Sequence, residues 1–183
     1  MMHMGTAMQF EHEKLICGIL YTDETAADKA VRRLTDTFGE IDAEAEPYCF
    51  SDISPYYDGE MGGRVFRRMV SFEECRDPAE LAEIKKLTNS IEQESADAGN
   101  RHINLDPGFV SAGRLSLATT KNAGHRIPLS DGIYAELTLF YARGAWHPFL
   151  WTYMDFKTTK VHEFLNRVRH IYMQQRKNWL SSR

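Results

Sequence analysis

The 183-residue sequence is poor in the features that mark several large classes of protein. It has three cysteines, Cys17, Cys49 and Cys75, which is too few and too scattered for a disulfide framework. None belongs to a CxxC pair, so a cysteine-type zinc site is not expected. No apolar run reaches the ~18 residues that a membrane-spanning helix needs. The opening stretch, MMHMGTAMQFEHEK, lacks the basic start and apolar core of a signal peptide, and a cytoplasmic location is expected. Three catalytic signatures are also missing: the GxxxxGK[ST] phosphate loop, the GxSxG elbow and the HExxH zinc helix. There are no repeats and no low-complexity segments.

What is present is the composition of a globular domain, 43% hydrophobic and 26% charged. The net charge of −4 is unevenly spread. Lys157–Arg183 carries seven basic side chains against one acid, Glu163, a local charge of +6 that leaves −10 on Met1–Phe156. Such a tail can dock on its own body, bind a polyanion, or form a solvated helix face.

Periodicity supplies the elements. KLICGILYT (Lys14–Thr22) reads as a buried strand. In the following segment Ala27, Ala30, Val31, Leu34 and Phe38 share one helical face, with Thr22 or Asp23 as cap and Gly39 at the C-terminal end. A second strand is expected around Ile41–Phe50. Ser51–Gly63 is rich in turn residues and is the expected mobile loop. Arg64–Glu74 reads as a strand. The strongest helix signal follows: Asp77 caps, Pro78 starts, Glu80 completes a box-like arrangement, and Leu81, Ile84, Leu87, Thr88 and Ile91 form the inward stripe. A strand near His102–Leu105, an Asp106-Pro107-Gly108 turn, and strands over Arg114–Lys121 and Gly132–Arg143 are expected next. The aromatic stretch with Trp146, His147, Trp151 and Tyr153 is expected to cover a core edge. Val161, Phe164, Leu165, Val168, Ile171 and Tyr172 mark a terminal amphipathic helix.

The order predicts an α+β fold, a ferredoxin-like split βαβ (βαββαβ) antiparallel sheet with an added β-hairpin and a C-terminal amphipathic helix. Residues 1–13 are expected to be a flexible extension, 14–156 the domain, and 157–183 a basic helix packed on it or extending from it.

The motifs YYDGEMG, VSFEE, DPAELAEIKKLTNSIE, NLDPGFV, LATTKNAGHRI, GIYAELTLFY and WTYMDF, taken in order, resemble a bacterial family catalogued as domain of unknown function 4416. The resemblance runs over roughly Lys14–Phe156. It implies no activity, cofactor or site residue; some members of that family carry a GTP-binding label, and this chain lacks the phosphate loop that such a label suggests.

The candidate site comes from the residues themselves. Leu115, Leu117, Thr119 and Lys121 alternate onto one strand face, so Lys121 reaches either water or a pocket at the strand's end. His125 and Arg126 follow it, and lysine with arginine suits phosphate or carboxylate. Asn104 and Asp106 lie before the same strand; as a turn acceptor and a backbone-satisfying amide they also have plain structural roles. Glu136 is expected to share a face with Tyr134, Thr138 and Phe140, opposite Leu137 and Leu139. If buried there it needs Lys121 or Arg126 as partner. The expected ligand-binding set is Asn104, Asp106, Lys121 and Arg126. His125 would be the acid or base and Glu136 the orienting carboxylate. Asp106, His125 and Glu136 are also of the residue types that bind a divalent metal, but their spacing is not diagnostic and no metal is expected; no cofactor is identified. Cys75, before a helix start, has the option of a stabilised thiolate. The expected function is binding of a small anionic, phosphate-bearing ligand such as a nucleotide, and possible action on it. The alternative is a nucleic-acid or protein-interaction module using the basic helix. The oligomeric state is not legible.

Overall fold

A computed structural model describes residues 7–95 and 102–181. Part of the expected N-terminal extension, residues 1–6, and the basic Arg183 lie outside the described residues.

The first strand, β1 (Glu13–Tyr21), is buried along its whole length, as its near-continuous apolar run requires. Helix α1 (Glu24–Phe38) starts at Asp23, whose side chain accepts from the Ala26 N–H at 2.7 Å, and it ends at Gly39, where φ is +96°. The expected second strand is two short pieces, β2 (Ile41–Glu44) and β3 (Tyr48–Cys49). The Ser51–Gly63 segment is not an open loop. It folds into a 3-10 turn at Pro55–Tyr57 and a short helix α2 (Asp58–Met61), tied by Ser51 Oγ donating to Asp58 Oδ1 at 2.6 Å. Phe50, Met61 and Val65 pack with Leu20 beneath it.

Strand β4 (Phe66–Arg76) leads to a 3-10 turn capped by Asp77 and then α3 (Leu81–Glu94). Leu81, Ile84, Thr88 and Ile91 face inward as expected, but Leu87 is exposed; Lys85 and Glu92 take the inward positions instead. Strand β5 (Ile103–Val110) contains Asp106, Pro107 and Gly108, so the expected turn is an uninterrupted strand. The chain reverses later, at Ser111–Gly113, where Ser111 Oγ accepts from the N–H groups of Gly113 and Arg114. Gly108 is required by proximity rather than by turn geometry: a Cβ there would collide with the Ser116 carbonyl oxygen and the Leu117 side chain of β6 (Arg114–Thr119).

A short β7 (Arg126–Pro128) forms within the expected hairpin tip, ahead of β8 (Tyr134–Ala142), and the start of the aromatic stretch forms β9 (Ala145–Pro148). Helix α4 (Thr159–Ser181) closes the described chain.

Among the described residues nine strands make one open antiparallel sheet in the order β2-β4-β1-β5-β6-β8-β7, with β3 on β4 and β9 on β8. The fold is therefore α+β, with helices on both sides of the sheet. Leu15, Cys17 and Ile19 pack under α1 and α3 on one face, while Ile16, Met69, Leu115 and Leu139 pack under α4 on the other. Val161, Phe164, Leu165, Val168 and Tyr172 of α4 are buried, each contributing about 1.5–3 kcal/mol relative to exposure. The arginines of α4 add much smaller contacts, typically about 0–1 kcal/mol for an exposed pair. Arg167 donates to the Glu44 carbonyl, Arg169 to the Ala112 carbonyl, and Arg176 pairs with Glu11. Apolar burial thus anchors the helix, and Arg167, Arg169 and Arg176 turn back onto the body. No helix among the described residues is long and apolar enough to cross a membrane.

Candidate functional site

The ladder between β5 and β6 is short. Only Gly108, Phe109 and Val110 pair with Leu117, Ser116 and Leu115. It stops next to Pro107, which has no N–H to continue it. Beyond that point the two strands no longer pair with each other, β5 running toward Asn104 and β6 toward Lys121. The opening is filled partly from α3. Lys85 Nζ donates to the Leu105 carbonyl at 2.6 Å, and Glu92 accepts from the Leu105 N–H at 2.8 Å, so two side chains replace a missing neighbouring strand. The rest is a cavity of about 120 Å³, lined from both layers packed on the sheet.

Its wall carries Asn104 and Asp106 from β5, Lys121 from the end of β6, Arg126 from β7 and Glu136 from β8. Five of the six expected site residues therefore surround one space. The sixth, His125, is not part of the wall; it sits beside it, with Nε2 3.1 Å from Glu136 Oε2 and its ring stacked on Trp151.

Glu136 reaches the cavity because β8 is irregular. Leu115 pairs with Leu139 and Ser116 with Leu137, so Thr138 is an extra residue. This bulge breaks the alternation expected from sequence: Glu136 is buried on the side of Leu139, while Leu137 faces out. Bulges commonly re-aim side chains in this way. The buried carboxylate is paired with Arg126, whose Nε donates to Oε2 at 2.8 Å, and not with Lys121. Arg126 also donates to the Lys121 carbonyl and to the Tyr153 hydroxyl. Burial pushes the Arg126 guanidinium down, but its bonds to Glu136 and Tyr153 outweigh this and hold it above its ordinary value.

The residue missed in the sequence is Arg67. It shares a strand phase with Val65, Met69 and Ser71, all buried, and its guanidinium lies between the rings of Phe50 and Phe156 at 5.3 Å from each. Its NH1 donates to Asp155 at 2.6 Å and its NH2 to Asp106 at 2.7 Å. Burial alone would lower its pKa; the Asp155 and Asp106 carboxylates more than offset that and raise it. A charged residue in the apolar phase of a strand is the signal that could have found it, since such a position requires opposing carboxylates. Lys85 and Glu92 gave a comparable signal, seven residues apart on the inward stripe of α3. Tyr57 completes the wall, its phenol pushed up by burial and by Asp106.

Lys121 differs from the other cations. Arg67, Lys85 and Arg126 each face a carboxylate, whereas Lys121 has none among the described residues. It is exposed, and its ammonium lies over the Tyr56 ring at 5.4 Å and the Tyr57 ring at 6.0 Å. Among the described residues no three His, Cys, Asp or Glu side chains come together as a metal site, so Asp106, His125 and Glu136 do not form one. Cys75 lies in β4, not at a helix start, and burial pushes its thiol up, against the thiolate option.

The comparisons with known proteins agree with the motif pattern. No curated protein and no solved structure matches the chain. A family model described as a domain of unknown function, DUF4416, matches residues 11–172, most of the sequence, and the chain belongs to that family.

Proposed function

We propose that the protein binds a small anionic, phosphate-bearing ligand, of the size class of a nucleotide's phosphate or a small phosphate ester, in the cleft between β5 and β6. The observation that carries this reading is the charge pattern: Lys121 is the cleft cation with no carboxylate partner among the described residues, and it stands where the cavity meets solvent. A flexible ammonium in that position suits a phosphate oxygen. The cavity of about 120 Å³ is below the usual ~300–1,000 Å³ of a drug-sized site, so it accommodates one end of a nucleotide and not the whole. Arg126 serves as a wall and a brace for Glu136 rather than as a free hand for the ligand. Should turnover accompany binding, the His125–Glu136 pair is the place for proton transfer.

The finer fold reading belongs to the same proposal. The order β2-β4-β1-β5, with α1 after β1 and α3 after β4, supports a ferredoxin-like split βαβ core to which β6–β9 and α4 are added. A cytoplasmic location is part of the reading. The alternative, nucleic-acid or partner binding through α4, has less to draw on, because Arg167, Arg169 and Arg176 are engaged by the body.

Thermal unfolding with inorganic phosphate, pyrophosphate and nucleoside monophosphates tests the proposal on wild type and Lys121→Ala. A ligand present at a hundredfold its Kd stabilises by about 2.7 kcal/mol. The expected result is stabilisation of wild type by at least one of these anions and its loss in a folded Lys121→Ala. Equal melting of both proteins in every anion would remove the reading.

A further inference from the structure

We infer that the ligand of this cleft carries an ammonium or similar N–H-rich end as well as its anion, the first held at Asp106 and the second at Lys121. The inference deepens the proposed function and rests on it for the anionic end only.

The argument begins with a surplus of charge. Asp106 and Asp155 share a single buried cation, Arg67, so the three side chains together carry one negative charge. The two carboxylates are not equivalent. Both line the cavity, but the Asp155 side chain is only 2% exposed, whereas that of Asp106 is 24% exposed. The surplus is therefore presented to a ligand at Asp106.

The hydrogen bonds around Asp106 set what it can accept. Its Oδ2 takes the Arg67 bond, and its Oδ1 takes the Asn104 Nδ2 donor at 2.8 Å. Each carboxylate oxygen keeps a second lone pair, and both are acceptors only. Asn104, also in the wall, directs its amide N–H to Asp106 and so retains its carbonyl oxygen as an acceptor. This end of the cleft thus calls for donors, and a positively charged donor is favoured most, because bonds between charged groups are stronger than neutral ones.

The opposite requirement holds at the mouth, where Lys121 calls for an acceptor. A single simple anion satisfies one end and leaves the other unmatched. A small amino-bearing phosphate ester satisfies both, and the cavity of about 120 Å³ limits the connecting part to a short chain or a single ring.

The test is a matched series measured by calorimetry on the full chain: ω-aminoalkyl phosphates of increasing length, the alkyl phosphates of the same length, inorganic phosphate and the corresponding alkylammonium chlorides. At one chain length the aminoalkyl phosphate is expected to bind about tenfold tighter than its alkyl counterpart, the gain of one charge-assisted hydrogen bond. In Asp106→Asn that gain, read as the ratio of aminoalkyl to alkyl phosphate affinity at one length, is expected to disappear. Equal affinity of the two series at every length in wild type, with phosphates still binding, overturns this inference and leaves the anion reading intact. A gain that persists in a folded Asp106→Asn also overturns it. Alkylammonium binding without phosphate binding removes the anion reading and supports the assignment of Asp106. Binding of neither class overturns both. Should Asp106→Asn fail to fold, the wild-type series decides alone.

Discussion

Lys14 and Arg67 are both buried cations on adjacent strands, and both face the side of the sheet covered by α4. Lys14 is enclosed: its ammonium pairs with Asp42 and donates to the Glu73 carbonyl and to Gln175 of α4, each at 2.9 Å. Those contacts tie together β1, β2, β4 and the terminal helix. Arg67 also has carboxylates on two sides, but one of them, Asp106, is partly exposed within the cleft. Enclosed and open clusters use the same chemistry. The enclosed one fixes how elements dock, and the open one leaves acceptor capacity for something that is not protein.

The largest test of that contrast removes each cation. Arg67→Met strands two carboxylates, one of them buried, and is expected to cost about 3–5 kcal/mol in urea unfolding. Lys14→Met should cost less, because Asp42 is partly exposed and can hydrate when its partner is lost. An equal or larger loss for Lys14→Met would show that Asp155 is not the buried group described. Next comes the point where the cleft begins. Gly108→Ala forces β5 and β6 apart and is expected to cost about 1–3 kcal/mol. The midpoint in urea measures it.

Alkaline pH gives a smaller effect on the enclosed side of the molecule. Burial pushes the phenols of Tyr21 and Tyr172 up to about 12. In the unfolded chain they ionise near their ordinary value of about 10. The folded state therefore holds its protons longer, and stability should fall as pH rises from about 10 toward 12. Urea midpoints across that range check the direction, and Tyr172→Phe should flatten part of the slope. The smallest effect is expected at Lys121. Lys121→Ala should leave stability within about 0.5 kcal/mol, as for an exposed side chain, while removing anion binding. A large loss of stability would make the contacts with Tyr56 and Tyr57 structural and would move Lys121 to the enclosed class.

The helices and the central strands were legible because their patterns are local. The cap at Asp23 and the stripe Ala27, Ala30, Leu34, Phe38 depend on neighbours within a few turns. The site was legible as a neighbourhood for a related reason: Asn104, Asp106, Lys121 and Arg126 are brought close by consecutive antiparallel strands. What was not legible depends on contacts between distant segments. Asp-Pro-Gly has the chemistry of a turn, yet β1 pairs along all of β5 and β6 crosses tightly over Gly108, and both overrule the local preference. The face of Glu136 depended on one unpaired residue, Thr138, that no alternation rule reveals. Arg67 went unread because its two aspartates lie 39 and 88 residues away in sequence.

The extra residue in β8 also makes the strand sensitive to register. Absorbing Thr138 into the ladder, by a one-residue slip of the preceding segment against β6, would restore the regular pleat, swing the Glu136 carboxylate outward and bring the Leu137 isobutyl group into its place. Arg126 would then confront hydrocarbon. The same residues therefore hold a polar wall and a greasy one a single register step apart, with the remaining scaffold as it is.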